Sequence, residues 1–294
     1  MLAVLVALIV VLYTFQSLFT KLYSMNYKGP ANGQATAVFS ICFGGFIGLA
    51  TLVANGFAFA PTWMTVGWGL LNAVMLWLYN TSLIKAGERG SYAFVMISNL
   101  FGAIILPMLV GVFFLGESLT AVQGVAIALM LVSFVVMNAR SISFKGASGA
   151  YYFWCAALFV ANGLYATIMN VQQELSAGMQ NTEMLAISYI GSALVVVVVQ
   201  LVRGQIRPLA EAFRMGKKSA LFTLACCIVA TVASNLLLYL LGFIDSSVLY
   251  TIENGGVIVL SALFSCLIFK EKLRWEQIVG IVIATVSIVL LSVA

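Results

Sequence analysis

The sequence predicts an all-α membrane protein of ten transmembrane helices folded as two inverted five-helix repeats, and three observations carry that prediction. The 294 residues are 63% hydrophobic and 8% charged, with a mean hydropathy of +1.11, whereas soluble domains carry about 25% charged residues. Apolar runs long enough to cross a bilayer recur ten times. All fourteen Lys and Arg fall in alternate connections between those runs.

In chain order the spans are 2–23, 35–54, 62–86, 90–115 and 120–138, then 149–174, 183–202, 219–243, 246–269 and 275–293. Each is an apolar run bounded by turn or charge signals. The first has no basic stretch ahead of it and no small-residue cleavage site, so it is expected to remain as a helix. Lys21 and Lys28 follow the first span, Lys85 and Arg89 the third, and Arg140 and Lys145 the fifth. Arg203, Arg207, Arg214, Lys217 and Lys218 follow the seventh, and Lys270, Lys272 and Arg274 the ninth. The other connections hold acids, among them Glu117, Glu174, Glu183 and Asp245. Basic loops stay in the cytoplasm. The chain is therefore expected to be a multi-pass protein of the cell membrane with both termini on the non-cytoplasmic side.

Two stretches repeat one pattern. Glu117, Leu119 and Gln123 recur as Glu271, Leu273 and Gln277, an offset of 154 that also pairs Gly102 with Gly256. Five spans per copy is an odd number, so the second copy enters the membrane from the opposite side. Residues 1–140 and 149–294 are the expected repeats. With its fourth span ending in Phe113-Phe114-Leu115-Gly116-Glu117-Ser118-Leu119-Thr120 and its ninth in Ile268-Phe269-Lys270-Glu271-Lys272-Leu273-Arg274-Trp275, the chain resembles, over its whole length, the ten-helix EamA-like members of the drug/metabolite transporter superfamily. The resemblance implies a central cavity lined mainly by the first, third, fourth, sixth, eighth and ninth spans, with the fifth and tenth peripheral. Members often carry a proline early in the fourth and ninth spans; here the ninth reads Glu253-Asn254-Gly255-Gly256.

Glu253 is the residue on which a functional reading turns. It lies inside an apolar run otherwise free of charge, where a carboxylate costs at least about 3 kcal/mol and faces a cavity, a partner or a transported ion. Ser246, Ser247, Tyr250, Glu253, Asn254, Ser261 and Ser265 fall on one helical face. Asn254-Gly255-Gly256 either loosens the helix beside the site or lets helices pack closely. Asn99 is the repeat counterpart of Glu253, and Pro107 is expected to kink or hinge the fourth span. Further polar groups at helical spacing are Trp68, Asn72, Tyr79 and Ser82, then Thr231, Asn235 and Tyr239, Thr14 and Gln16, and Asn162 and Tyr165. Each is interhelical glue, worth about 0.6 kcal/mol, or a ligand. Trp63, Tyr151 and Tyr152 are expected in interfacial belts.

The chain has no histidine, no paired intramembrane carboxylates, no cysteine cluster with metal spacing and no phosphate-cradling glycine loop, so enzyme chemistry, a metal, a cofactor and direct use of ATP all lack their parts. The net charge of +5 is scattered over short loops and forms no nucleic-acid groove. Cys42, Cys155, Cys226, Cys227 and Cys266 all lie in apolar runs and read as small buried hydrophobes. What remains is a secondary carrier working by alternating access. One buried carboxylate with aromatic rings such as Tyr250, Tyr79 or Tyr239 suits a cationic or amine-bearing solute, and a carboxyl that takes up a proton when no cation is bound would give proton antiport. The expected substrate contacts are Glu253, Asn254, Tyr250, Asn99, Asn72, Tyr79, Asn235, Tyr239, Asn162 and Gln16. The alternatives are a facilitator or exporter of neutral or zwitterionic metabolites such as amino acids or nucleosides, and a membrane subunit that binds or flips a lipid-linked intermediate.

The charge distribution yields a first prediction. A reporter that fluoresces only in the cytoplasm, fused after Ala294, is expected to stay dark while an alkaline phosphatase fusion at the same place is active; the reverse pattern would overturn the orientation.

Overall fold

The computed structural model describes residues 2–29, 34–140, 142, 148–176, 178–269 and 273–293, without the side chains of 92, 93 and 265–269. Lys145, Lys270, Glu271 and Lys272 lie outside the described residues, as do the side chains of Ser265 and Cys266. The chain forms α1 (Leu2–Asn26), α2 (Gln34–Ala54), α3 (Trp63–Gly87), α4 (Tyr92–Phe114), α5 (Ala121–Asn138), α6 (Gly149–Ser176), α7 (Asn181–Val202), α8 (Ile206–Ala212), α9 (Lys217–Leu241), α10 (Ser246–Phe269) and α11 (Trp275–Val293). All but the seven-residue α8 coincide with the expected spans to within a few residues. Nine of them, among the described residues, are long and apolar enough to cross a membrane. The tenth, α3, has 25 residues, but Trp63, Trp68, Asn72, Trp77, Tyr79 and Asn80 dilute its apolar character. The protein is an all-α, multi-pass membrane protein.

Local chemistry sets several helix ends. The Thr62 hydroxyl accepts the Thr65 amide at 3.2 Å to start α3. On α5, Thr120 and Gln123 form a capping box: the Gln123 amide N–H donates to the Thr120 hydroxyl at 3.2 Å and the Thr120 N–H donates to the Gln123 side chain at 2.9 Å. Gln277 does the same for α11, accepting the Arg274 N–H at 2.9 Å. The glutamine shared by the two repeat motifs is thus a capping residue in both copies.

Packing joins the two halves. Helix α4 packs on α6 and α10 on α1; α3 packs on α6 and α9 on α1; α3 packs on α7 and α9 on α2; α2 pairs with α7 and α5 with α11. Exchanging α1, α2, α3, α4 and α5 for α6, α7, α9, α10 and α11 maps the first three sets of pairings onto one another and the last two pairings onto themselves. Helices α5 and α11 sit together at the periphery. The repeated glycines occupy equivalent crossings. A Cβ on Gly102 would overlap the Phe159 carbonyl of α6, one on Gly163 would meet the Gly102 carbonyl oxygen at 2.6 Å, and one on Gly256 would meet Val10 of α1 at 2.7 Å. Gly255 is pressed on Met130 of α5. Helix α10 runs unbroken through Asn254-Gly255-Gly256 and α4 through Pro107, so the two glycines serve close packing and the backbone beside Glu253 is not loosened.

Contacts between helix ends fall into two sets. At one end, the Thr62 N–H donates to Gln180 at 3.0 Å and the Ala60 N–H to Glu183 at 3.3 Å, tying the α2–α3 and α6–α7 connections together. At the other end, Gln34 donates to Gln205 at 3.0 Å, and Arg140 pairs with Glu276. Tyr151 belongs to this basic end but not to an interfacial belt: it is fully buried against Ala86, Val95, Cys155 and Leu158, and its hydroxyl donates to the Ser91 carbonyl at 2.9 Å. Trp63 is 91% exposed and Tyr152 half-exposed, as belt residues are. Cys42, Cys155, Cys226 and Cys227 are free thiols, three of them buried.

The glycine crossing can be tested by overpacking. Gly102→Val should push α4 off the α6 backbone and cost about 1–3 kcal/mol, lowering the melting temperature in detergent; an unchanged melting curve would mean the crossing tolerates a side chain.

Candidate functional site

The first quarter of α10 is sealed: every residue from Ser246 to Thr251 is buried. Its Tyr250 hydroxyl donates to the Ala166 carbonyl of α6 at 3.0 Å. One turn further, the half-buried Glu253 carboxylate accepts a hydrogen bond from Asn254 Nδ2 at 2.8 Å, and the same amide donates to the Tyr250 carbonyl at 2.9 Å. No ion pair reaches Glu253 among the described residues. A carboxylate inside a span with one neighbouring amide and no resident cation is short of partners by the standards of lipid-embedded charge.

Phenols surround it. Tyr13 of α1 lies near Glu253 and Tyr250, with its hydroxyl within reach of Ser234 of α9. The Tyr189 hydroxyl of α7 meets Ser234 Oγ at 3.0 Å and the Tyr165 hydroxyl of α6 at 3.0 Å. Hydroxyls from α1, α6, α7 and α9 therefore form one cluster, which reaches the carboxylate of α10 through Tyr13. Each phenol offers a donor, an acceptor and an electron-rich ring face, which together can hold an ammonium group and orient its polar substituents.

Of the residues expected at a site, the structure brings Glu253, Asn254 and Tyr250 together. Asn162 Nδ2 donates to the Asn99 carbonyl at 2.9 Å and to its Oδ1 at 2.8 Å, so the repeat counterpart of Glu253 is engaged in the α4–α6 crossing. Asn72 is buried between α3 and α7, donating to Ser188 at 3.4 Å. Asn235 ties α9 to α2 through Thr51 at 3.0 Å. Tyr79 packs at the basic end near Tyr151 and Leu158. Tyr239 is half-exposed, with its ring 4.9 Å from that of Phe243. Gln16 sits where α1 meets α9: its carbonyl accepts from Thr20 at 2.8 Å, and its buried Oε1 has no partner among the described residues. Tyr13, Tyr189 and Ser234 were not anticipated. The sequence signal for them is faint: Tyr189 lies among Ser188 and Ser192 in the seventh span, a helix assigned no place in the cavity, and Tyr13 precedes Thr14.

A second carboxylate, Glu117, joins the two halves at the end of the bundle that carries no Lys or Arg. Gly116, at φ +76, turns the chain after α4, and the Glu117 side chain folds back over Gly111, where a Cβ would overlap it. There Oε1 accepts the Ser246 N–H at 2.9 Å and its hydroxyl at 2.6 Å, and Oε2 accepts the Ser247 N–H at 3.3 Å and its hydroxyl at 2.8 Å. Asn170 of α6 donates to Oε1 at 3.3 Å. A carboxylate on unpaired N–H groups at a helix N-terminus is favoured by both hydrogen bonding and the helix dipole. Asp245 stands just ahead of α10, where partial burial, and then the Glu117 charge, raise its carboxyl above the ordinary carboxylate value.

The second half of the chain, residues 152–293, matches the model of the EamA-like transporter family, part of the drug/metabolite transporter superfamily. No curated protein matches the sequence. A solved structure described only as a crystal structure of a protein covers 99% of this chain and 96% of its own length, with a TM-score of 0.75 at 14% identity, and so shares the fold. The chain is a multi-pass membrane protein whose second half is similar to EamA-like transporters.

Removing one amide tests the α4–α6 polar contact. Asn162→Ala should destabilise the protein by about 0.6–1.7 kcal/mol, the range of single intramembrane hydrogen bonds, read as a lower unfolding midpoint; a loss of transport without that shift would instead place Asn99 and Asn162 on the substrate.

Proposed function

We propose that the protein is a secondary active carrier for a small cationic or amine-bearing organic solute, exchanged for protons by alternating access across the cell membrane. The observation that carries this reading is Glu253: a carboxylate within α10, with no ion pair among the described residues and tyrosines from three other helices near it or linked to it. A solute ammonium would supply the missing counter-charge, with the faces of Tyr13 and Tyr250 around it. A proton would neutralise the same carboxyl in the absence of solute, so that one group serves two cargoes in turn. Glu253, Asn254, Tyr250, Tyr13, Tyr165 and Tyr189 are the proposed substrate contacts, and Asn99 a support to them through α4.

The exchanged helix pairings and the equivalent glycine crossings support an inverted repeat of residues 1–140 on 149–294. In such folds the site lies near the midplane where the halves meet. The two sets of end contacts, with the bases all in one, support ten crossings with both termini on the non-cytoplasmic side.

Purified protein in proteoliposomes is expected to take up organic cations faster under an imposed pH gradient. Glu253→Gln should remain folded and lose about tenfold or more of that stimulation, the change that about 1.4 kcal/mol of lost charge interaction produces, together with the preference for cations over neutral analogues. Asn99→Ala should be milder. Transport and pH dependence unchanged in Glu253→Gln would reduce the residue to a structural role.

A further inference from the structure

Helix α10 is enclosed to different degrees toward its two ends. At the base-free end, α10 is buried throughout 246–251, α6 throughout 166–170, and Leu237, Leu238, Leu240 and Leu241 of α9 are buried beside them. Toward the basic end, no residue of α10 from 257 to 264 is buried, nor any of α1 from 15 to 22. The seal lies on the non-cytoplasmic side of Glu253 in the orientation proposed above. Only Glu117 joins its α4, α6 and α10 walls by polar contacts from a single side chain among the described residues, with five hydrogen bonds from Ser246, Ser247 and Asn170.

Geometry makes this contact both strong and breakable. Both oxygens are engaged, each by one N–H and one hydroxyl of the same helix terminus, and bonds to a charged acceptor are about twice as strong as neutral ones. Yet the carboxylate is carried on a connection. It reaches α10 across a glycine face without being part of either helix, so a tilt of α10 relative to α4 parts the two without breaking a helix. Rigid segments separated by one discrete polar contact are the kind of element that has two arrangements.

We propose that Glu117 is the latch that holds the substrate site shut on the base-free face, and that its release from the N-terminus of α10 is the step that opens Glu253 to that side. This rests on the alternating-access reading. Glu117 is a positioning residue: it does not touch the solute, and acts by moving the helix that does. Substrate and latch are coupled through α10, since Ser246 and Ser247 lie two turns from Glu253 on one continuous helix. A solute bound at Glu253 favours whichever latch state it fits better.

The test is sided thiol labelling in a background whose five native cysteines are replaced. Thr251→Cys reports the sealed end, being fully buried one turn below Ser247, and Ser261→Cys reports the looser end. In vesicles of known sidedness, with an impermeant maleimide and no solute, Glu117→Gln keeps the side-chain shape but loses charge and half its accepting capacity. It is expected to raise Thr251→Cys labelling from the base-free face about tenfold or more, the weight of one hydrogen bond to a charged group, and to slow labelling of Ser261→Cys from the other. Ser246→Ala with Ser247→Ala, which removes only the two hydroxyl donors, should do the same to a smaller extent and serves if Glu117→Gln does not fold. An unchanged outer rate, or both rates rising together with a fall in melting temperature, would overturn the latch, the second outcome marking general loosening. Because no solute is present, opposite changes in the two rates uphold the latch even if Glu253→Gln proves the substrate reading wrong, and failure here leaves that reading to its own transport assay.

Discussion

Helices in lipid gain little by hiding apolar surface from one another, so this bundle depends on how closely its backbones can approach. That closeness comes from glycine at equivalent places in the two halves, Gly102 with Gly163 at the α4–α6 crossing and Gly256 at the α10–α1 crossing. Nearly all the helix packing runs between the halves and not within them. Neither half is built to bury its faces alone. The same arrangement brings α1, α6, α7, α9 and α10 together at one place, which is where the tyrosines meet Glu253.

Polar groups in such a setting must find partners within the bundle, and most do so in ways that fix helix pairs: Asn72 with Ser188, Asn235 with Thr51, Asn162 with Asn99. Glu117 satisfies two N–H groups at the start of α10, and Gln123 and Gln277 satisfy those of α5 and α11. Glu253 stands apart, with one amide from its own helix. The contrast between a carboxylate saturated at the end of α10 and one with a single amide partner inside it marks the first as architecture and supports the site proposed at the second.

All ten long helices, the membrane class and the carboxylate at 253 were legible in the sequence, because the length of an apolar run and the cost of a charge within it are properties of the chain itself. So was a pattern of Glu, Leu and Gln recurring at one offset. What its residues do was not legible: Gln123 proved a cap and Glu117 a bridge to the other half. Helical spacing also failed to tell ligand from glue. Asn72, Asn235 and Tyr79 share faces as suggestive as that of Tyr250, and only the neighbours of each face distinguish them.

By itself the sequence determined that this protein lies in a membrane, how many long helices it has and which ends carry the positive charge. Those follow from composition and period, which act over one helix at a time. The tertiary structure decided which helix each polar face meets, and so gathered Tyr13, Tyr189 and Ser234 around Glu253, used the glycines beside it for packing, and set Glu117 on the far half's helix. Such contacts join residues from separate helices, some more than a hundred positions apart, and no local pattern in the chain encodes its own partner.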